Sequence, residues 1–134
     1  MSTERDGAGI VRDFFERMEA RDWDGARALV SPSVRIDYTE TGERFDGSNF
    51  VGMNEAYPEG WTIRVVEALG VGDRVAAQVR VALGDEVFWC AGFYTVVDGV
   101  IADGVEHWVT ERSADPPDWR ERFTTPGGAS LPTS

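Results

Sequence analysis

The sequence predicts an α+β fold in which a curved sheet, mixed or antiparallel, wraps around N-terminal helices. Three observations predict it. Up to Gly60 the apolar residues recur mainly at helical spacing, interrupted by capping and breaking residues. From Trp61 the pattern changes to strand-like runs of β-branched and aromatic residues. The turns between those runs are short Gly- and Asp-containing dipeptides, which favours hairpins over crossover helices.

The first helix is "GIVRDFFERMEARD", from about Gly9 to Ala20. Ile10, Val11, Phe14, Phe15 and Met18 form its apolar side; Arg12, Asp13, Glu16, Arg17 and Glu19 form its polar side. "DWDGARALVSPS" gives a short second helix, with Asp22 as N-cap and Pro32 as its stop. "SVRIDYTETGERFDG" reads as a strand, a Thr41-Gly42 turn and a short return strand. "SNFVGMNEAYPEG" is a third helix, capped by Asp46 or Ser48 and ended by Pro58. Four strands follow: "WTIRVVEAL", "RVAAQVRVAL", "VFWCAGFYTVV" and "VIADGVEHWVTE". The third is apolar on both faces, which predicts a central strand covered on both sides. Residues 1–8 are expected to be flexible and 9–112 to form the domain. Residues 113–134 form a Pro- and Gly-rich tail whose last eight or so residues are expected to be disordered, with Trp119 and Phe123 pinning its first half to the domain.

Composition narrows the function. With 24 Asp and Glu against 13 basic residues, the net charge is −11. Such a surface repels phosphate backbones and anionic lipid, so neither nucleic acid nor membrane is expected as a partner. The single cysteine, Cys90, allows no internal disulfide and suits a reducing cytoplasm. One histidine and carboxylates without a ligand spacing argue against a metal, and no Gly-rich phosphate loop follows a strand, so no cofactor is expected.

The segment "GVEHWV" holds the most suggestive side chains. On a strand, Glu106 and His107 point to opposite faces. Counting back from a two-residue Asp98-Gly99 turn sets Ala91 opposite Glu106, Cys90 opposite His107 and Trp89 opposite Trp108. Glu106 then shares a face with Trp89, Phe93 and Trp108; one bulge would exchange the faces further along. A glutamate between tryptophans must be protonated, paired or hydrated. Arg44, Arg64 and Arg80 are its candidate ion-pair partners.

Several stretches carry a family resemblance: "FFERMEARDWDGARALVSPSVRIDY", "GERFDGSNFVGMNEAYPEGW", "FYTVVDGVIADGVEHWV" and the tail "PPDWRERF". They span roughly residues 9 to 124. In these the chain resembles the SnoaL-like branch of the nuclear transport factor 2-like superfamily, uncharacterised members with a PP-[DE]-W-R tail in particular. The resemblance implies a cone: a strongly curved sheet whose helices close an apolar pocket. It also implies relatives that include ketosteroid isomerase, scytalone dehydratase, limonene epoxide hydrolase and polyketide cyclases, beside many members that are not enzymes. Matched to ketosteroid isomerase, Asp37 stands at the general-base position. Phe14 and Gly92 stand where that enzyme has its two oxyanion donors, so steroid isomerisation by that route is not expected. Gly104, Glu106 and Trp108 match cavity-facing positions.

Asp37 and Glu106 are therefore the candidate catalytic pair, projecting into one pocket. Phe14, Tyr38, Asn54, Tyr57, Trp61, Trp89 and Trp108 are the expected pocket lining. His107, turned to the other side of the sheet, is the alternative acid or base. Two functions fit. One is a cofactor-independent isomerase, cyclase, dehydratase or epoxide hydrolase acting on a small apolar molecule by acid–base chemistry. The other is a non-catalytic ligand-binding or dimerisation module. Both predict a homodimer through the outer sheet face, with Phe88, Tyr94 and Val109 in the contact.

Overall fold

The computed structural model describes residues 6–125. Helices α1 (Gly7–Glu19) and α2 (Trp23–Arg27) lead into strand β1 (Val30–Tyr38) and the short β2 (Glu43–Asp46). Helix α3 (Ser48–Ala56) precedes β3 (Trp61–Val71), β4 (Arg74–Leu83), β5 (Glu86–Val97) and β6 (Val100–Thr110). The six strands form one sheet in the order β2-β1-β6-β5-β4-β3, in which only β1 and β6 run parallel. The sheet is thus mixed, with the α helices lying against its inner face.

Helix α1 begins two residues earlier than the sequence suggests, because Asp6 caps it through a 2.7 Å bond from the Gly9 amide. Its apolar side is the stripe expected from the spacing: Ile10, Val11, Phe14, Phe15 and Met18 are all buried. Phe14 stacks on Phe50 of α3 at 5.7 Å, and Phe15 meets Tyr94 of β5 edge-on at 6.2 Å. Each such ring contributes about 1.5–3 kcal/mol by leaving water. Pro32 does not stop α2. It lies inside β1, where the pairing with β6 is interrupted between Val30 and Arg35 and no amide is required from it. Neither Asp46 nor Ser48 caps α3; its N-cap is Gly47, with no side-chain bond.

The β5–β6 hairpin sets the site. Asp98 and Gly99 both have positive φ, 53° and 78°, as the tight hairpin turn requires. The ladder then slips between Thr95 and Val96, leaving Ala102 as an extra residue in β6. Beyond the slip Gly92 faces Glu106, Ala91 faces His107 and Cys90 faces Trp108. This register corrects the simple count by one residue, so Cys90, Gly92 and Tyr94 occupy the inner face instead of Trp89 and Phe93. Among the described residues nothing covers the outer side of β5 at Phe93, which is 43% exposed.

The tail forms a 3-10 helix at Asp118–Phe123. Trp119 and Phe123 are 70% and 67% exposed, so they do not pin it to the domain as expected. Of residues 1–8, expected to be flexible, Asp6 caps α1 and Gly7 and Ala8 form its start, while residues 1–5 and the last eight residues, expected to be disordered, lie outside the described residues. No helix among the described residues is long and apolar enough to cross a membrane.

Candidate functional site

A cavity of about 300 Å³ opens between the inner face of the sheet, α1 and α3. Its apolar wall is built from Phe15 and Met18 on α1, Phe50, Met53 and Tyr57 on α3, and Trp61, Ile63, Val81, Phe88 and Trp108 on the strands. Tyr38 and Glu106 lie side by side in the same wall, because they are direct partners in the parallel β1–β6 ladder.

Among the described residues Glu106 is the one polar or charged residue in the buried core, at 1% exposure. Its Oε2 accepts a 2.7 Å bond from the Tyr94 hydroxyl and its Oε1 a 3.1 Å bond from Trp108 Nε1. Tyr38 and Cys90 also stand within hydrogen-bonding reach. None of the arginines anticipated as partners pairs with it; Arg44 is engaged by Asp37. Burial raises the carboxyl's pKa above its ordinary value, and the surrounding hydrogen bonds oppose that rise only in part. Desolvation and the neighbouring Glu106 likewise raise the Tyr38, Tyr94 and Cys90 pKa values, so all three stay neutral. A buried neutral thiol is inert as a nucleophile.

Two glycines make room for this cluster. A Cβ on Gly92 would lie 2.1 Å from the Tyr94 hydroxyl, and one on Gly104 would lie 2.5 Å from the Tyr94 ring. Tyr94 thus lies in a slot between two bare backbone positions, and that slot carries its hydroxyl to Glu106. The bare position at Gly92, where the ketosteroid isomerases were expected to have a donor, is occupied here by a donor from two residues further along.

The candidate residues divide by face. Tyr38, Asn54, Tyr57, Trp61, Glu106 and Trp108 line the cavity. Asp37 does not: it is one residue off in the alternation, on the outer face, where Arg44 holds it at 2.7 and 3.2 Å. The Arg44 hydrogen bond lowers its pKa, so it is an exposed, fully ionised carboxylate. The expectation that Asp37 and Glu106 share one pocket is therefore corrected. Phe14 is fully buried in the core behind the cavity, stacked on Phe50. Trp89 faces outward, its Nε1 3.4 Å from Glu111. His107 also faces outward, with Nδ1 2.7 Å from the Thr39 hydroxyl and its ring edge-on to Phe93. Tyr94 and Cys90 are the members of the cluster that sequence reasoning missed. Only the Ala102 bulge brings them inward, and alternation alone carries no signal for it.

Among the described residues no group of three or more His, Cys, Asp or Glu is placed to hold a metal ion. What the arrangement offers is a buried carboxyl with a raised pKa at the wall of an apolar cavity, with Trp108 able only to donate to it and Tyr94 donating as well.

The model of the SnoaL-like domain matches residues 11–104, ending just before Glu106. None of the curated proteins matches the chain. Among solved structures, a protein from Kribbella flavida DSM 17836, named as a candidate ketosteroid isomerase, is 29% identical with a TM-score of 0.85, over 93% of this chain and 92% of that one. An LEH-like epoxide hydrolase from M. tuberculosis is 16% identical with a TM-score of 0.66, over 77% and 82% of the two chains. A candidate polyketide cyclase from Sinorhizobium meliloti is 18% identical with a TM-score of 0.63, over 73% and 93%. The last two likenesses show the fold alone. With the domain model matching most of its length, the chain belongs to the SnoaL-like domain family.

Proposed function

We propose that the cavity binds a small apolar molecule and that Glu106, kept protonated by burial, acts on it as a general acid without a cofactor. The observation that carries this reading is a buried carboxyl with no cationic partner in the wall of an apolar cavity. A structural glutamate would gain more from an arginine, or from replacement by an apolar residue, than from burial among tyrosines and tryptophan. Isomerisation, epoxide opening and cyclisation, the activities named for the similar structures, each need a proton moved at an apolar substrate. Tyr38, beside Glu106 in the wall, is placed to relay that proton or to steady an oxygen that gains charge.

The test is turnover of a panel of apolar ketones, epoxides and alcohols by wild type, Glu106→Gln and Asp37→Asn. Glu106→Gln is expected to lower turnover by about a hundredfold to ten-thousandfold, with Asp37→Asn close to wild type. Full activity in Glu106→Gln overturns the acid role. A second reading, a non-catalytic binding module, is favoured by the absence of side-chain donors at Phe14 and Gly92. Binding of panel members without any turnover, and unchanged by Glu106→Gln, would select it.

We also propose that two copies pair through the outer sheet face, in a reducing cytoplasm that suits the single buried thiol. Val109 and Phe93, 59% and 43% exposed, support the pairing, together with Ala91, Val105 and His107 between them. Tyr94 and Phe88 are not in that contact, since both face inward. Light scattering is expected to give a dimer for wild type and a monomer for Ala91→Arg; a monomeric wild type at micromolar concentration contradicts it.

A further inference from the structure

Among the described residues, the charged groups that line the cavity are all of one sign. Its lining includes Glu40, Glu43 and Glu106 but no arginine and no histidine. This is notable in a chain whose 13 basic residues are all arginine. Glu106 is buried. Glu40 and Glu43 are exposed, on the β1–β2 turn and at the start of β2, and so stand at the mouth. Several other carboxylates have arginine partners, such as Asp22 with Arg17, Glu55 with Arg27, Glu59 with Arg21 and Asp37 with Arg44. Glu43 instead accepts from the Thr41 hydroxyl, at 2.6 Å. The guanidiniums of the neighbourhood are turned to other work. Arg44 is held on the outer face by Asp37, and Arg21, stacked over the Trp61 ring at 3.4 Å, is tied to Glu59 and to the Trp61 carbonyl.

One further feature of the lining bears on the chemistry of a ligand. Tyr57, 44% exposed, lines the same cavity as Glu40 and Glu43 and adds an aromatic ring to it. A cavity that combines an aromatic ring with carboxylates favours an ammonium.

We propose that the cavity selects apolar amines: molecules with an oil-like body whose outward end is a cationic nitrogen met by Tyr57, Glu40 and Glu43. Carboxylates and phosphate esters of the same shape are rejected. This rests on the reading of the cavity as a ligand site and adds the charge of the ligand to it.

Calorimetric titration of the full chain with naphthylmethylamine, naphthylmethanol and naphthoate tests it. At low salt the amine is expected to bind at least about fivefold tighter than the alcohol, and the carboxylate to bind weakest. Added salt erodes the amine's advantage and leaves the alcohol unchanged. The double change Glu40→Gln/Glu43→Gln removes the preference while the alcohol still binds. The control Glu67→Gln/Asp73→Asn lowers net charge equally, at exposed positions outside the lining, and keeps the preference. Carboxylate binding as tight as the amine's, or a preference that survives in Glu40→Gln/Glu43→Gln, overturns the charge assignment while leaving the site reading intact. If none of the probes binds, the site reading itself falls and takes the inference with it.

Discussion

Strands β1 and β6 carry two carboxylates that were expected to work together, and the two faces of the sheet treat them in opposite ways. Asp37 and Glu106 are on adjacent, paired strands, one residue out of step: Asp37 pairs with Val105 and Tyr38 with Glu106. On the outer face Asp37 has an arginine, water and a lowered pKa. On the inner face Glu106 has two phenols, an indole, a thiol and a raised pKa. The same functional group is a charged surface anchor in one place and a buried hydrogen-bond acceptor in the other. The difference lies in which face the backbone offers, and in whether a cation or an apolar wall is there to meet it.

The comparison breaks most severely where the inner cluster depends on bare backbone. Gly92→Val places methyl groups where the Tyr94 hydroxyl now lies, so the ring must leave its slot and Glu106 loses its shortest bond. A loss of about 3 kcal/mol is expected in urea unfolding; an unchanged midpoint would mean that the slot is not needed.

Next in size is the response of Glu106 itself. Glu106→Ala opens a hole and orphans the Tyr94 and Trp108 donors, at a cost of about 2–4 kcal/mol. Glu106→Gln keeps the shape of a neutral acid and is expected to cost no more than about 1 kcal/mol. Equal losses from both would show that a negative charge was being removed.

The pH dependence separates the faces by sign. Because the folded chain holds the Glu106 proton more firmly than the unfolded chain, the contribution of Glu106 is complete below its ordinary value of 4.5 and drains away as pH rises toward the folded value. Asp37 works the other way. Its contribution is complete above its ordinary 3.8 and is lost as pH falls through the lowered folded value. Glu106→Gln should therefore gain stability relative to wild type as pH rises above 4.5. Asp37→Asn should show the smallest effect of all, a slight loss confined to the range above its pKa and weakened by salt. Thermal melts across that range check both.

Much of this division can be read in the residues themselves. In "SVRIDYTE" the apolar alternation Val34, Ile36, Tyr38 already turns Asp37 outward. The family resemblance pointed to it as the base, and the local pattern was the better guide. Glu106 inward and His107 outward follow from the same period-two logic, given that Trp108 and Gly104 share the face of Glu106. Tyr38, Tyr57, Trp61 and Trp108 were recognisable because each is a large aromatic with a polar handle on the apolar side of its element. Trp89 and Tyr94 exchanged places for a reason that alternation does not encode: one unpaired residue, Ala102, shifts the hairpin between Thr95 and Val96. The glycine slot was equally hidden, since Gly92 and Gly104 show their purpose only when Tyr94 lies between them.

The protonation of Glu106 at neutral pH is best tested by infrared difference spectroscopy of wild type against Glu106→Gln. A carbonyl band of a protonated carboxylic acid, present in wild type near pH 7 and missing from the variant, is the predicted result. A difference spectrum that shows only the loss of carboxylate bands would contradict it, because it would mean that an ionised glutamate sits in the wall of the cavity.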